Sequence, residues 1–136
     1  MTQMRDQLIA EARKAMANSY SPYSKFSVGA ALLDENGNIH HGTNVENASL
    51  GLTICAERTA VFRAVTDGCK RFKAIAIVTP TPEPTAPCGA CRQVLLEFAN
   101  PDLTIWLAGE GDTIEEHLLS DLVPLAFRSF RDEDSS

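Results

Sequence analysis

No apolar run in this sequence approaches the length that spans a bilayer, and the N-terminus lacks the charged-then-apolar layout of a signal peptide. A cytoplasmic protein with no membrane partner is the expectation. Positive charge is also in deficit: twelve Lys and Arg stand against eighteen Asp and Glu, a formal net charge of -6. Such a chain repels phosphate backbones on average, so a nucleic acid polymer is not expected as a partner. The small cluster Lys70, Arg71 and Lys73 beside a strand start reads as a solvated loop. No internal repeat is present, and 136 residues are too few for two full-sized domains. A single domain over residues 1–136 is expected, with a frayed polar tail from about residue 131. Cysteine is scarce, at four residues. In a reducing compartment a Cys-x-x-Cys pair points to metal or redox chemistry, not to a disulfide framework.

What is present reads as alternating elements. Apolar residues Met4, Leu8, Ile9, Ala12, Ala15 and Met16 recur at helical spacing over residues 3–19, and Pro22 breaks the pattern. Residues 26–33 read as a strand, Asn36-Gly37 as a hairpin turn, and residues 39–44 as its return. A second helix is expected over residues 55–65, ending near Gly68. Residues 72–78 form a continuous β-branched run, as a strand buried on both faces would. The proline-rich stretch 79–87 is a stiff loop, followed by a helix over 88–98 and a strand over 103–107. Residues 113–125 fit helical spacing equally well.

The chemistry sits at two helix starts. Cys55-Ala56-Glu57 opens one, and about thirty residues later Pro87-Cys88-Gly89-Ala90-Cys91 opens the other. Catalytic zinc is held by three protein ligands, leaving the fourth position to water, and Cys55, Cys88 and Cys91 match that count. Water on such a zinc loses a proton near a pH of about 7, which supplies hydroxide at neutral pH. Glu57, two residues beyond the first ligand, is placed to face that water and to shuttle its proton. The pattern resembles the signature of the zinc nucleobase deaminases. Three thiolates leave the site negative, and two helix N-termini together with Arg58 are the devices that offset the charge.

Plainer readings carry less. A closed structural zinc site needs a fourth Cys or His, and Cys69, His40, His41 and His117 lack knuckle-like spacing to either group. Cys69 reads as a bystander. His40 and His41, on opposite faces of a strand, read as solvated. Phe26, Phe127 and Trp106 are by default core aromatics.

Four blocks now stand in order: residues 20–31 (YSPYSKFSVGAA), 42–48 (GTNVENA), 55–60 (CAERTA) and 87–94 (PCGACRQV). With them the chain resembles the short-chain cytidine deaminases from about Leu8 to Phe127. The resemblance implies a three-layer α/β/α sandwich with a mixed five-stranded sheet and one zinc per subunit at the N-termini of two adjacent helices. For residues 113–125 it favours a short strand and one helical turn. It implies a homotetramer with shared active sites, acting on a small-molecule nucleoside in pyrimidine salvage. By position, Asn44 and Glu46 would hydrogen-bond the ribose 3′-hydroxyl, Phe26 and a neighbouring subunit's Phe127 would pack on the base, and Ala56 would offer its amide to the base carbonyl. Glu57 would move protons while zinc-bound hydroxide adds to the amine-bearing carbon. Leu50 departs from the pattern, standing where many relatives carry a tyrosine near the 5′ side of the nucleoside.

Three other readings remain open on the residues alone. One is the same chemistry on a bulkier or amine-substituted cytosine nucleoside. Another is polynucleotide editing, against which the acidic balance speaks. The third is a non-catalytic, zinc-stabilised interaction module, which would have no use for Glu57.

Overall fold

The computed structural model describes residues 2–86 and 89–123. Helix α1 (Thr2–Met16) leads into strands β1 (Gly29–Asp34) and β2 (Ile39–Thr43), then a 3-10 turn (Leu50–Leu52) and helix α2 (Ala56–Thr66). Strand β3 (Phe72–Val78), helix α3 (Gly89–Phe98), strands β4 (Ala99–Ala108) and β5 (Ile114–Leu118) and a single turn α4 (Leu119–Leu122) complete it. The five strands form one sheet in the order β2-β1-β3-β4-β5. Only β3 and β4 are parallel, and a parallel pair needs a crossover, which α3 supplies.

Side-chain alternation divides the sheet into two faces. Ala31, Leu33, Ala74, Ala76, Val78, Trp106 and Ala108 pack with Leu8, Ile9 and Ala12 of α1. The intervening Ala30, Leu32, Ile75, Ile77, Ile105 and Leu107 pack with α2 and α3 through Ala60, Val61, Ala64 and Leu95. Strands covered on both sides have no polar alternation, which is why residues 74–78 run apolar without a break, Lys73 being the exposed position of β3. The result is the expected three-layer α/β/α sandwich. Trp106 is a core residue, and its indole N–H donates to Glu116 at 2.7 Å.

Close approach of helix to sheet rests on two glycines. A Cβ on Gly29 would lie 2.0 Å from the Ala12 carbonyl oxygen of α1, and one on Gly42 would lie 2.3 Å from the Ala56 carbonyl oxygen of α2. Hairpin and helix end follow the sequence: Gly37 and Gly68 both have positive φ.

Element boundaries differ where side chains or distant backbone compete for hydrogen bonds. Helix α1 stops at Met16, short of residue 19, and the Tyr20 amide pairs instead with the Asn44 carbonyl at 3.1 Å. Strand β1 begins at Gly29, not at 26, because the Asn44 side chain takes the Val28 N–H and the Phe26 carbonyl. Strand β4 is longer than expected, with Ala99 reaching Phe72. Residues 114–122 are a strand and one helical turn.

The histidines require a correction. His40 and His41 do face opposite ways, but neither is a solvated residue. His40 is buried against Asp34, with Nε2 and Oδ2 2.9 Å apart. His41 is half-buried and lies 2.7 Å from Glu11. Cys69 is no bystander either, since its thiol hydrogen-bonds Asp34. Burial alone would raise the Asp34 carboxyl; hydrogen bonds from His40, Cys69 and the Asn38 and Asn36 amides outweigh it and hold the group well below the usual carboxylate range. That same bond to Asp34, with burial second, pushes the Cys69 thiol up.

Candidate active site

Helix α2 descends into β3 and α3 follows it, so both helices begin at the C-terminal end of β3. A cavity of about 350 Å³ opens there, a volume suited to a small ligand. The start of α2 supplies Cys55, Ala56 and Glu57 to its wall; β3 and its exit supply Ile77 and Thr79. Phe26, Asn44 and Glu46 line it from the loops around β1 and β2.

Cys55 is the extended N-cap residue of α2, and its side chain makes no capping bond to the helix, which leaves the sulfur turned elsewhere. Arg58, one turn on, places Nη2 3.6 Å from Cys55 Sγ and 3.5 Å from the Thr53 carbonyl oxygen. Cys91, buried in the first turn of α3, comes within hydrogen-bonding reach of the Glu57 carboxylate and of the Arg58 guanidinium. Two cysteines distant in sequence therefore share one carboxylate and one guanidinium. Glu57 is 5% exposed. Burial pushes its carboxyl up, its own backbone amide pulls it down, and Cys55 adds to the rise. Arg58 is raised by its bond to Cys55, against burial. Its Nε is the buried side-chain nitrogen without a partner among the described residues.

The polar pair that lines the cavity, Asn44 and Glu46, is already engaged. Asn44 Oδ1 accepts from the Val28 amide at 2.9 Å and from the Ser19 hydroxyl, while Nδ2 donates to the Phe26 carbonyl at 2.7 Å. Glu46 Oε1 accepts the Tyr23 and Ser24 amides at 3.0 and 3.1 Å, and Oε2 accepts the Ser24 hydroxyl. The Ser24 hydroxyl bond, opposed by burial and helped by both amides, holds the Glu46 carboxyl below its ordinary value. This network grips a turn in which Lys25 has φ 61°, a left-handed conformation that costs a non-glycine residue about 1–2 kcal/mol. The grip presents Phe26, 37% exposed, at the cavity.

A family model described as the cytidine and deoxycytidylate deaminase zinc-binding region matches residues 2–107. The chain belongs to that family. It is 52% identical to a cytidine deaminase of Sporosarcina psychrophila over 90% of each chain. It is 49% identical to one of Halalkalibacterium halodurans, over 90% of this chain and 93% of that one. Among solved structures it resembles a cytidine deaminase of Burkholderia pseudomallei, with a TM-score of 0.87 and 48% identity over 90% of this chain and 98% of the other.

Soft sulfur donors converging on a helix N-terminus suit the zinc that this deaminase family binds. Cys55 and Cys91 are brought together; Cys88 and Phe127, expected as a ligand and a base contact, lie outside the described residues. Ala56 lines the cavity at the first position of α2, where helix amides have no intrahelical acceptor. Leu50 is 75% exposed in the 3-10 turn and does not line the cavity. The sequence reading missed Ser24, Thr53, Thr79 and Thr85 as cavity residues. Ser24 had a signal, since it lies in the polar loop just before Phe26; the threonines had none.

Proposed function

We propose that this chain hydrolyses cytidine and deoxycytidine to uridine, deoxyuridine and ammonia, with Cys55, Cys88 and Cys91 holding one zinc and Glu57 moving the protons. The observation that carries the reading is the lining of the cavity. Cys55 and the buried carboxylate of Glu57 line it together with the aromatic ring of Phe26 and the carboxamide–carboxylate pair of Asn44 and Glu46. A flat base and a sugar fit that set of surfaces.

Zinc, when bound, supplies a hydroxide nucleophile near neutral pH by acidifying water. Glu57 would accept the proton lost from water at the metal and deliver it to the ring nitrogen while oxygen adds to the amine-bearing carbon. It would then take the remaining hydroxyl proton and pass it to the amine, so that the carbonyl forms, the carbon–nitrogen bond breaks and ammonia leaves. A carboxyl raised by burial suits a group that must both take and give protons. Arg58 offsets thiolate charge through Cys55. Phe26 packs on the base, and the Ala56 amide binds its carbonyl oxygen. Glu46 and Asn44, held rigid by the loop 19–28, use their remaining hydrogen-bonding capacity on the 3′-hydroxyl.

The same reading makes the protein a cytoplasmic salvage enzyme and a homotetramer, with a neighbour's Phe127 completing each cavity. Support for the assembly comes from exposed apolar side chains on adjoining segments near the cavity. Tyr20 bridges to Val45, Val45 bridges to Ile54, and Leu50 and Leu52 precede Ile54, all but Ile54 exposed. Among the described residues no helix is long and apolar enough to cross a membrane.

The test is loss of cytidine's ultraviolet absorbance with protein of measured zinc content, run beside deoxycytidine, an amine-substituted cytidine and free cytosine. Zinc-dependent turnover of the two natural nucleosides is expected. A zinc-loaded, folded protein inert toward both would overturn the reading.

A further inference from the structure

A second group of metal-ligating side chains lies at the opposite end of the sheet, away from the cavity. Asp34 closes β1, His40 is the second residue of β2, and Cys69 lies between α2 and β3. One ligand atom from each of Asp34, His40 and Cys69 lies within 4.8 Å of the other two, and Asp34 Oδ2 and His40 Nε2 are 2.9 Å apart. Asp34 is fully buried and His40 is 8% exposed, so this is no solvated acidic patch. Cys69 is half-buried and gives the cluster an opening to solvent.

The carboxylate is oriented for the purpose. Asp34 Oδ1 is filled by the Asn36 and Asn38 amides of the hairpin turn, at 2.8 and 2.9 Å. Oδ2 is thereby left to His40. Asp67 and Glu35 add negative charge near Cys69, while Lys70 and Arg71 follow it in sequence.

We propose that Asp34, His40 and Cys69 form a second metal site, which takes a zinc-like divalent transition ion and leaves one coordination position to water. A carboxylate oxygen, an imidazole nitrogen and a thiolate are all zinc donors. Tetrahedral zinc at its usual bond lengths sets its ligand atoms about 3.3–3.5 Å apart. The 2.9 Å Asp34–His40 pair needs to open by only a few tenths of an ångström, and the Cys69 sulfur already lies within 4.8 Å of both partners. The ion replaces the thiol proton of Cys69, which is released to solvent, and requires Nε2 of His40 unprotonated, so that imidazole keeps its proton on Nδ1. Three chain segments are tied together: the end of β1, the start of β2 and the link from α2 to β3. The site stabilises the fold and does not touch substrate.

Zinc content and thermal unfolding of the intact protein test this directly. After saturation with zinc sulfate and removal of loosely bound ion, the wild type is expected to retain two ions per chain. Cys69→Ala and His40→Gln are each expected to retain one, with cytidine turnover in Cys69→Ala unchanged. Added zinc should raise the melting temperature of the wild type more than that of Cys69→Ala. A single ion in the wild type, or a second ion that survives both substitutions, would overturn the site. The ion count does not depend on turnover, so failure of the substrate reading and failure of this site are separate results.

Discussion

Glu57 is held where a carboxylate is least comfortable, nearly without solvent and beside cysteine sulfur, and its raised affinity for protons follows from that placement. Glu57→Gln keeps the shape and the hydrogen-bonding reach but cannot accept a proton. Its turnover is expected to fall by about 10²–10⁴ or more, with zinc content unchanged, as steady-state absorbance assays and metal analysis would show. Asn44 serves two ends at once, replacing strand ladder bonds for Val28 and Phe26 while facing the cavity. Asn44→Ala removes the hydrogen bonds of the part-buried Val28 amide and Phe26 carbonyl, at about 1 kcal/mol each, and is expected to raise KM as well. Urea unfolding combined with kinetics would separate the two effects. Glu46 titrates below its ordinary value because the Ser24 hydroxyl and two amides favour the anion. With its folded pKa depressed, the stability it contributes is full above the unfolded value of about 4.3 and is lost as pH falls through the folded one. The melting-temperature gap between wild type and Glu46→Gln should therefore be widest near neutrality and shrink as pH falls below the unfolded value of about 4.3.

At the scale of elements, the β2–α2 contact governs the site. Gly42 lets the backbone of α2 lie directly on the strand, and α2 carries Cys55 and Glu57 at its start. Gly42→Ala would force strand and helix apart, an overpacking that costs about 1–3 kcal/mol. Lower urea stability and weaker zinc retention are expected together. Lower stability with undiminished zinc retention would detach the helix start from this contact. The elements themselves were readable where a local signal dominates. Residues 72–78, the Asn36-Gly37 turn and the stop at Gly68 depend on apolar continuity and on glycine backbone freedom. Readings failed where hydrogen bonds come from far along the chain. The start of β1 and the end of α1 were misjudged because Asn44 and Glu46, some twenty residues away, pair with that stretch. The histidines were misjudged because strand periodicity gives opposite faces but says nothing about what covers each.

For the whole molecule, the apolar side chains left exposed beside the cavity, Tyr20, Tyr23, Leu50 and Leu52 among them, make assembly the central question. Light scattering after size exclusion is expected to give four times the chain mass of 14.8 kDa. Phe127→Ala is expected to lower turnover without loss of zinc, and mixing it with a Glu57→Gln variant should restore part of the activity by pairing intact halves of shared sites. Residue order alone was enough for the alternation of helices and strands, the spacing of the three cysteines and the carboxylate beside the first, because these depend on periodicity and on near neighbours in the chain; the three-layer class came from the resemblance to the short-chain cytidine deaminases. It took the folded chain to show that Cys91 lies against Glu57 and Arg58, that Asn44 and Glu46 grip the loop carrying Phe26, and that Asp34, His40 and Cys69 meet. Those are contacts between segments remote along the chain, and which remote segments meet is set by the strand order and packing of the whole sheet.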